Sequence, residues 1–257
     1  MGLFYKYQGT GNDFVMIDNR EEVILKSDAE LIRHLCDRRF GIGADGLILL
    51  EHSHTVDFKM LYFNADGHEG SMCGNGGRCV VAFANFLGII NDSTTFDAVD
   101  GLHYATIEKD RVSLQMKDVN TIEQGEGYVF LDTGSPHHVQ FEDNLSDFDI
   151  KTIGRKIRTD LYGEAGCNVN FVKKVNELTF KMRTYERGVE DETLACGTGA
   201  TAVAIAMNYL KETQDTNLKL LVQGGELSVS FKVDNGHYSD VFLTGKAKQV
   251  FKGEMKW

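Results

Sequence analysis

Two cysteines in this chain stand in matched settings. Cys73 opens the turn Cys73-Gly74-Asn75-Gly76-Gly77-Arg78, and Cys196 opens Cys196-Gly197-Thr198-Gly199-Ala200-Thr201, 123 residues later. Each turn leads into an apolar, helix-spaced run, which predicts a helix with the thiol at its N-terminus. Backbone N–H groups are unpaired there and the helix dipole favours a thiolate. A thiol, with a reference pKa of about 8.5, is readily tuned at such a position to take or give a proton. A single copy fits equally well a small buried cysteine in a tight turn. Two copies in one chain point to a pair of acid/base groups.

The offset recurs along the sequence. Thr10-Gly11-Asn12 matches Thr133-Gly134-Ser135, and Gly43 before Leu47–Leu50 matches Gly166 before Val169–Val172. Phe58-Lys59-Met60 returns as Phe180-Lys181-Met182, and Gly101-Leu102 loosely matches Gly225 to Leu227. An ordered series at nearly constant spacing implies an internal duplication. The expected halves are residues 1–118 and 119–247, with residues 248–257 outside the repeat. No Pro/Gly/Ser-rich linker separates them, so closely apposed domains with a cleft are expected. If the halves face each other, both helix ends can hold one carboxylate, with its α-carbon between two sulfurs. That arrangement removes a proton from one face and returns one to the other.

Other candidates lie at equivalent places in the repeat. Asn64 and the pair Glu186-Arg187 end the two Phe-Lys-Met strands, and offer an amide, a carboxylate and a guanidinium to a charged ligand. His137, in a loop after Ser135 and Pro136, aligns with the loop Asn12-Asp13-Phe14. Gly41-Ile42-Gly43-Ala44-Asp45-Gly46 matches the dinucleotide pattern GxGxxG, but a helix precedes it and an apolar strand follows. That is the reverse of the nucleotide-binding context, and a helix-to-strand turn is expected instead. Cys36 and Cys79 read as structural.

The positioning elements follow from local pattern. β-favouring residues run from Phe4 to Asp18, broken at Gly9-Thr10-Gly11, and again from Phe58 to Asn64. Ser27 or Asp28 can cap a helix through Arg39, with Leu31, Leu35 and Cys36 on one face. The helix after Cys73 should stop near Gly88. Val112, Leu114 and Met116 alternate as a half-buried strand. Strands outnumber helices, and the runs Val80–Ala84 and Ala202–Met207 are apolar all round. The fold class expected is α/β (α+β): two pseudo-symmetric domains, each a mixed, mainly antiparallel sheet wrapped around a central helix.

Composition narrows the function. The chain has 257 residues, a formal net charge of −11 and 42% hydrophobic residues. An acidic globular protein lacks the footprint for nonspecific nucleic-acid binding, although a locally positive site for an anionic substrate remains open. Five cysteines without a CxxC pair argue against a disulfide framework and a structural zinc. No signal-peptide layout or membrane-spanning run is seen, so a reducing cytoplasm is expected, with no membrane partner.

The motifs GTGNDF (Gly9–Phe14), GIGADG (Gly41–Gly46), FNADG (Phe63–Gly67), MCGNGGRC (Met72–Cys79), NVNF (Asn168–Phe171) and YERG…ETLACGTGA (Tyr185–Ala200) span nearly the whole chain. In them the chain closely resembles the diaminopimelate epimerase family, cofactor-independent isomerases of lysine and cell-wall precursor biosynthesis. The resemblance implies a domain pair with the site between its halves and residues 248–257 returning to the first half. It implies epimerisation of L,L-2,6-diaminopimelate to the meso isomer without pyridoxal phosphate or metal, by a homodimer. Cys73 would take the α-proton from the L,L isomer and Cys196 would protonate the opposite face, assisted by His137 and Glu186. Gly74-Asn75 and Gly197-Thr198 would cradle the reacting carboxylate. Asn12, Asn64, Ser135, Asn168, Glu186 and Arg187 would contact the rest of the substrate.

Some positions depart from the family pattern. Gly46 stands where some members carry a substrate-contacting glutamine, and Ser135 where asparagine is usual. Glu190-Asp191-Glu192 lengthens a glycine-containing turn, and Phe251 replaces a tyrosine at a dimer contact. These bear on substrate affinity and dimer stability rather than on the thiols. Two rivals remain: a proline or hydroxyproline racemase of the same fold, and a redox protein in which Cys73 and Cys196 form a disulfide switch. A doubly charged far end on the substrate separates the first rival, because Arg187, Asn64 and Asn168 need something to bind.

Overall fold

The computed structural model describes residues 2–256 and divides into two compact units, Met1–Leu114 with Gly245–Trp257, and Gln115–Thr244. The first unit begins with β1 (Gly2–Gly9), β2 (Asn12–Asp18), α1 (Ala29–Cys36), β3 (Gly46–Glu51), β4 (Phe58–Asn64) and α2 (Gly74–Phe86). It continues with β5 (Ser93–Ala98), β6 (Gly101–Glu108) and β7 (Arg111–Gln115). The second unit holds β8 (Ile122–Gly125), β9 (Tyr128–Asp132), β10 (Pro136–Phe141), α3 (Ile150–Tyr162), β11 (Asn168–Asn176) and β12 (Thr179–Glu186). After these come β13 (Asp191–Thr193), α4 (Gly197–Tyr209), β14 (Asn217–Val222), β15 (Gly225–Asp234) and β16 (His237–Lys246), and then β17 (Lys248–Met255), which pairs antiparallel with β1 in the first unit.

The duplication is visible in the strand pairing. In the first unit β1–β2 is antiparallel, β2–β3 parallel, β3–β4 antiparallel, β4–β5 parallel and β5–β6 antiparallel. The second unit repeats that series in β9–β10, β10–β11, β11–β12, β12–β14 and β14–β15. Each parallel pair needs a crossover, and each crossover carries a helix. α1 and α3 serve the first crossover of each unit, and α2 and α4 the second.

This arrangement explains which residues are apolar. The run Leu47-Ile48-Leu49-Leu50 in β3 is fully buried, because α1 covers one sheet face and α2 the other. On β2, Val15 and Ile17 join Ile32 and Leu35 of α1 in one cluster, while Phe14 and Met16 are buried on the opposite face. In the second unit β11 divides the same way. Val169 and Phe171 pack with Ile150 of α3, whereas Val172 packs with Val203 and Met207 of α4. Ala202 to Met207 is buried all round, as its unbroken apolarity requires. Each fully buried Val, Ile or Met there contributes roughly 1.5–3 kcal/mol.

Some expectations need correction. His137 lies in β10 rather than in a loop, paired with Leu131 of β9 and Asn168 of β11. The first helix does not run to Arg39: it ends at Cys36, where Asp37 turns extended and its carboxylate accepts from Arg39 and Phe40 N–H. Its buried face is Ile32, Leu35 and Cys36, with Leu31 only half-buried. Asp28, rather than Ser27, is the cap, accepting from Leu31 N–H at 3.0 Å. The segment Gly41–Gly46 is the expected helix-to-strand turn, with Gly43 at φ 81° and β3 following directly.

α3 crosses β12 at a glycine. A Cβ on Gly154 would lie 2.5 Å from Cβ and 2.7 Å from Cγ of the fully buried Tyr185. Overpacking of this kind costs roughly 1–3 kcal/mol. Gly154→Ala is therefore expected to lower the midpoint of denaturant unfolding despite alanine's better helix propensity. An unchanged or higher midpoint would show that α3 can shift freely.

Candidate active site

Cys73 and Cys196 occupy the N-cap positions of α2 and α4, each in extended backbone, at φ −112°, ψ 121° and φ −113°, ψ 114°. Gly77 N–H donates to the Cys73 carbonyl and Ala200 N–H to that of Cys196, which starts each helix. Neither thiol caps its own helix. Cys73 is half-buried, and Cys196 is buried at 7% exposure. None of the five cysteines is in a disulfide. Burial pushes Cys36, Cys79 and Cys167 up to about 12, so these three remain protonated.

In the first unit Asn12 joins the pieces. Its Oδ1 accepts from Asn75 Nδ2 at 3.3 Å and from Cys73 Sγ at 3.6 Å, and its Nδ2 donates to Asp45 at 2.6 Å. Asp45 and Asp13 share Arg38, each at 2.7 Å, and Asp13 also pairs with the buried Lys6 at 2.7 Å. Burial raises the Asp13 carboxyl, but Arg38 and Lys6 outweigh it and hold the group well below the usual carboxylate range. Asn64 stands exposed at the end of β4, in register with Gly46. Its Nδ2 faces Gly70, 3.1 Å from a Cβ built there, and its backbone N–H donates to the His68 carbonyl. The space that a side chain at Gly46 would need is filled by the ring of Tyr62, 2.5 Å from a Cβ built there.

In the second unit the expected residues fall into small hydrogen-bonded sets. Asn168 Nδ2 donates to Ser135 Oγ at 2.9 Å, and its Oδ1 accepts from Arg187 N–H at 2.9 Å. Cys196 Sγ lies 3.5 Å from Thr198 Oγ1, and the Thr198 carbonyl accepts from Thr133 Oγ1 at 2.9 Å. Glu186 accepts from Thr193 Oγ1 at 2.8 Å, and burial raises its pKa against that hydrogen bond. The Arg187 guanidinium donates to the Ala165 carbonyl at 3.0 Å.

His137 is fully buried, and burial lowers its pKa to about 3 despite Asp132 nearby. Its tautomer follows from Asn170. The His138 carbonyl can only accept, so the group facing it at 2.9 Å is the Asn170 amide, whose oxygen takes the Thr184 hydroxyl. The same amide donates to His137 Nδ1 at 3.1 Å, which places the ring proton on Nε2. Asn168 Nδ2 sits 3.5 Å from Nε2. Asn170 was not singled out from the motif NVNF, although residues two apart on a strand share a face. It also packs near Cys196: a Cβ on Gly199 would lie 2.6 Å from Asn170 Oδ1 and 3.3 Å from Cys196 Sγ. Thr133 and Thr193 were likewise missed, and the repeat aligning Thr133 with Thr10 was the available signal.

The fold is shared with a class of racemases, epimerases and related isomerases. A solved PhzF-family phenazine biosynthesis protein from Bacillus anthracis superposes with a TM-score of 0.78 at 13% identity, covering 99% of both chains. A probable proline racemase from Agrobacterium radiobacter does so at 0.69 and 15% identity, covering 100% of this chain and 93% of that one. Sequence places the chain more narrowly. The diaminopimelate epimerase family model matches residues 4–122 and 129–250. A diaminopimelate epimerase of Flavobacterium psychrophilum is 61% identical over 250 residues, covering 96% of this chain and 98% of that protein. One of Chlorobaculum tepidum is 42% identical, covering 95% and 98%. The chain belongs to the diaminopimelate epimerase family.

The buried imidazole makes stability pH-dependent. Its folded pKa of about 3 lies below an unfolded value of about 6.5, so the unfolded chain binds the extra proton between them. Its contribution is complete above about pH 6.5 and is lost as pH falls toward 3. Glu186, with a raised pKa, has the opposite sign, contributing at low pH and losing its contribution as pH rises. Unfolding curves from pH 7.5 to pH 4.5 should therefore fall less steeply for His137→Gln than for the parent chain. Parallel curves would refute a neutral buried His137.

Proposed function

We propose that the chain epimerises L,L-2,6-diaminopimelate to meso-diaminopimelate through a thiolate base and a thiol acid. The observation that carries this reading is the pair Cys73 and Cys196, each the N-cap of the buried central helix of its own unit, in a chain of this family. Cys73 as thiolate removes the α-proton from one face, and Cys196 delivers a proton to the other. The carbanion's charge passes into the α-carboxylate. Backbone N–H groups at Gly74-Asn75 and Gly197-Thr198 stabilise that charge where it develops. The neutral His137 offers an Nε2–H donor, and Glu186, whose pKa burial raises, holds the substrate ammonium or carries a proton beside it. Arg187 with Asn12, Asn64, Ser135 and Asn168 receives the far carboxylate and ammonium. The same reading takes the enzyme as cytoplasmic and homodimeric. Val250 and Phe251, 56% and 46% exposed on β17, support a contact between copies. No described helix is long and apolar enough to cross a membrane.

Reduced enzyme with L,L-diaminopimelate in D₂O should give meso product carrying deuterium at the inverted α-carbon. Cys73→Ala and Cys196→Ala should each lower turnover by about 10²–10⁴-fold or more. Turnover of proline in place of diaminopimelate would move the reading to the racemases of this fold, and wild-type rates in both variants would remove the two-thiol mechanism. Arg187→Met should raise KM for diaminopimelate by roughly 10–100-fold, the weight of hydrogen bonds to a charged group. An unaltered KM would place the far carboxylate elsewhere.

A further inference from the structure

One cation near the site is accounted for by nothing described so far. Arg78, in the second turn of α2, is 0% exposed and among the largest fully buried side chains. Its Nη1 donates to the Gly74 carbonyl at 3.2 Å, and its Nη2 to Thr10 Oγ1 at 3.0 Å and Asn75 Oδ1 at 2.8 Å. Its Nε has no partner. All these acceptors are neutral, and no carboxylate pairs with Arg78 among the described residues. A buried charge without a counter-charge is expensive. Placing a cation near a helix N-terminus also opposes the dipole. Stability alone does not call for arginine here.

The surrounding charges do not supply the missing anion. Lys6, Asp13, Arg38 and Asp45, gathered about Asn12 from β1, β2 and the segment after α1, close on themselves as two cations and two carboxylates. Cys79, beside Arg78 on α2, is pushed up to about 12 by burial, and Tyr7 from β1 is raised as well. Cys73 is the remaining acidic group whose charge acts on the guanidinium: it directly precedes Gly74, whose carbonyl Arg78 holds at 3.2 Å, and as a thiol it donates to Asn12 Oδ1, a bond that ionisation gives up.

The second unit provides an internal comparison. At the 123-residue offset Arg78 becomes Thr201, also fully buried, whose Oγ1 donates to the Gly197 carbonyl at 3.1 Å as Arg78 donates to that of Gly74. Thr10 becomes Thr133, which bonds the Thr198 carbonyl. The scaffold beneath both helix starts is repeated, but only the first carries a charge. Thr10 is held at φ 57°, uncommon for a β-branched residue, with its hydroxyl on that charge.

We propose that Arg78 is a positioning residue that makes the two halves unequal: it fixes Gly74 and Asn75 through its fork and is the buried counter-charge of a Cys73 thiolate, leaving Cys196 as the thiol. This rests on the reading of Cys73 as a proton carrier, but its test needs no substrate. Alkylation of Cys73 and Cys196 by iodoacetamide, followed across pH by peptide mass mapping, reports each thiolate separately. Cys73 in the parent chain should titrate about one unit or more below the ordinary thiol value, and below Cys196. Arg78→Met should move Cys73 up by about one to two units. Arg78→Lys should restore much of the shift, and Cys196 should hold its position throughout.

A parent Cys73 titrating at or above about 8.5 would overturn the proposal even if Arg78→Met failed to fold. So would a folded Arg78→Met in which Cys73 keeps its profile, or in which both thiols move together. If diaminopimelate proves not to be the substrate, the titration is untouched, so the two failures remain distinguishable.

Discussion

A helix enclosed by sheet on every side still has to begin somewhere, and its first N–H groups need acceptors. In α2 and α4 the residue at that point is a cysteine, and neither thiol turns back to cap its helix. The positive end of each dipole thereby acts on its own thiol. Other features of the site follow from this constraint. Glycine or a small residue must occupy the first turn, because the strands approach it closely: beside Gly199 there is no room for a methyl group between Asn170 and Cys196. Beyond its first two turns each helix body is apolar, Val80–Ala84 in α2 and Ala202–Met207 in α4. The buried polar groups lie on these helices, as Asn75, Arg78 and Thr201 do, and on the strands beside them, as His137, Asn168 and Asn170 do.

Burial then divides the titratable groups by task. Cys36, Cys79 and Cys167 are held protonated by their apolar surroundings, which removes three competing thiols from the chemistry. His137 is held neutral and its proton is directed by Asn170. Glu186 is pushed toward protonation. The second unit thus holds titratable groups that burial keeps toward their neutral forms, whereas the first places a buried guanidinium in the second turn of α2.

The repeat in the sequence carried the topology, because each matched Gly-x turn and Phe-Lys-Met strand marks the same step in two identical strand-pairing series. The helix N-termini were legible from cysteine, small residues and an apolar run. The end of α1 was not, because Asp37 terminates it by taking two N–H groups with its own carboxylate, a competition that helix periodicity does not register. The roles of Asn170 and Arg78 also escaped, although both lie inside quoted motifs. Their importance comes from what they are buried against, and spacing along a chain does not report burial. Asn64 shows the converse: its place at the strand end was readable, and the structure puts it there, exposed.

The pairing of β17 with β1 joins residues 248–255 to residues 2–8. Strands so distant in sequence close a very long loop, the kind of contact that slows folding. On the ribosome the second unit, Gln115–Thr244, is fully synthesised before the strand that completes the first has emerged. The half that is made first is therefore finished last, and until then β1 presents an open edge on which a strand from another chain could settle.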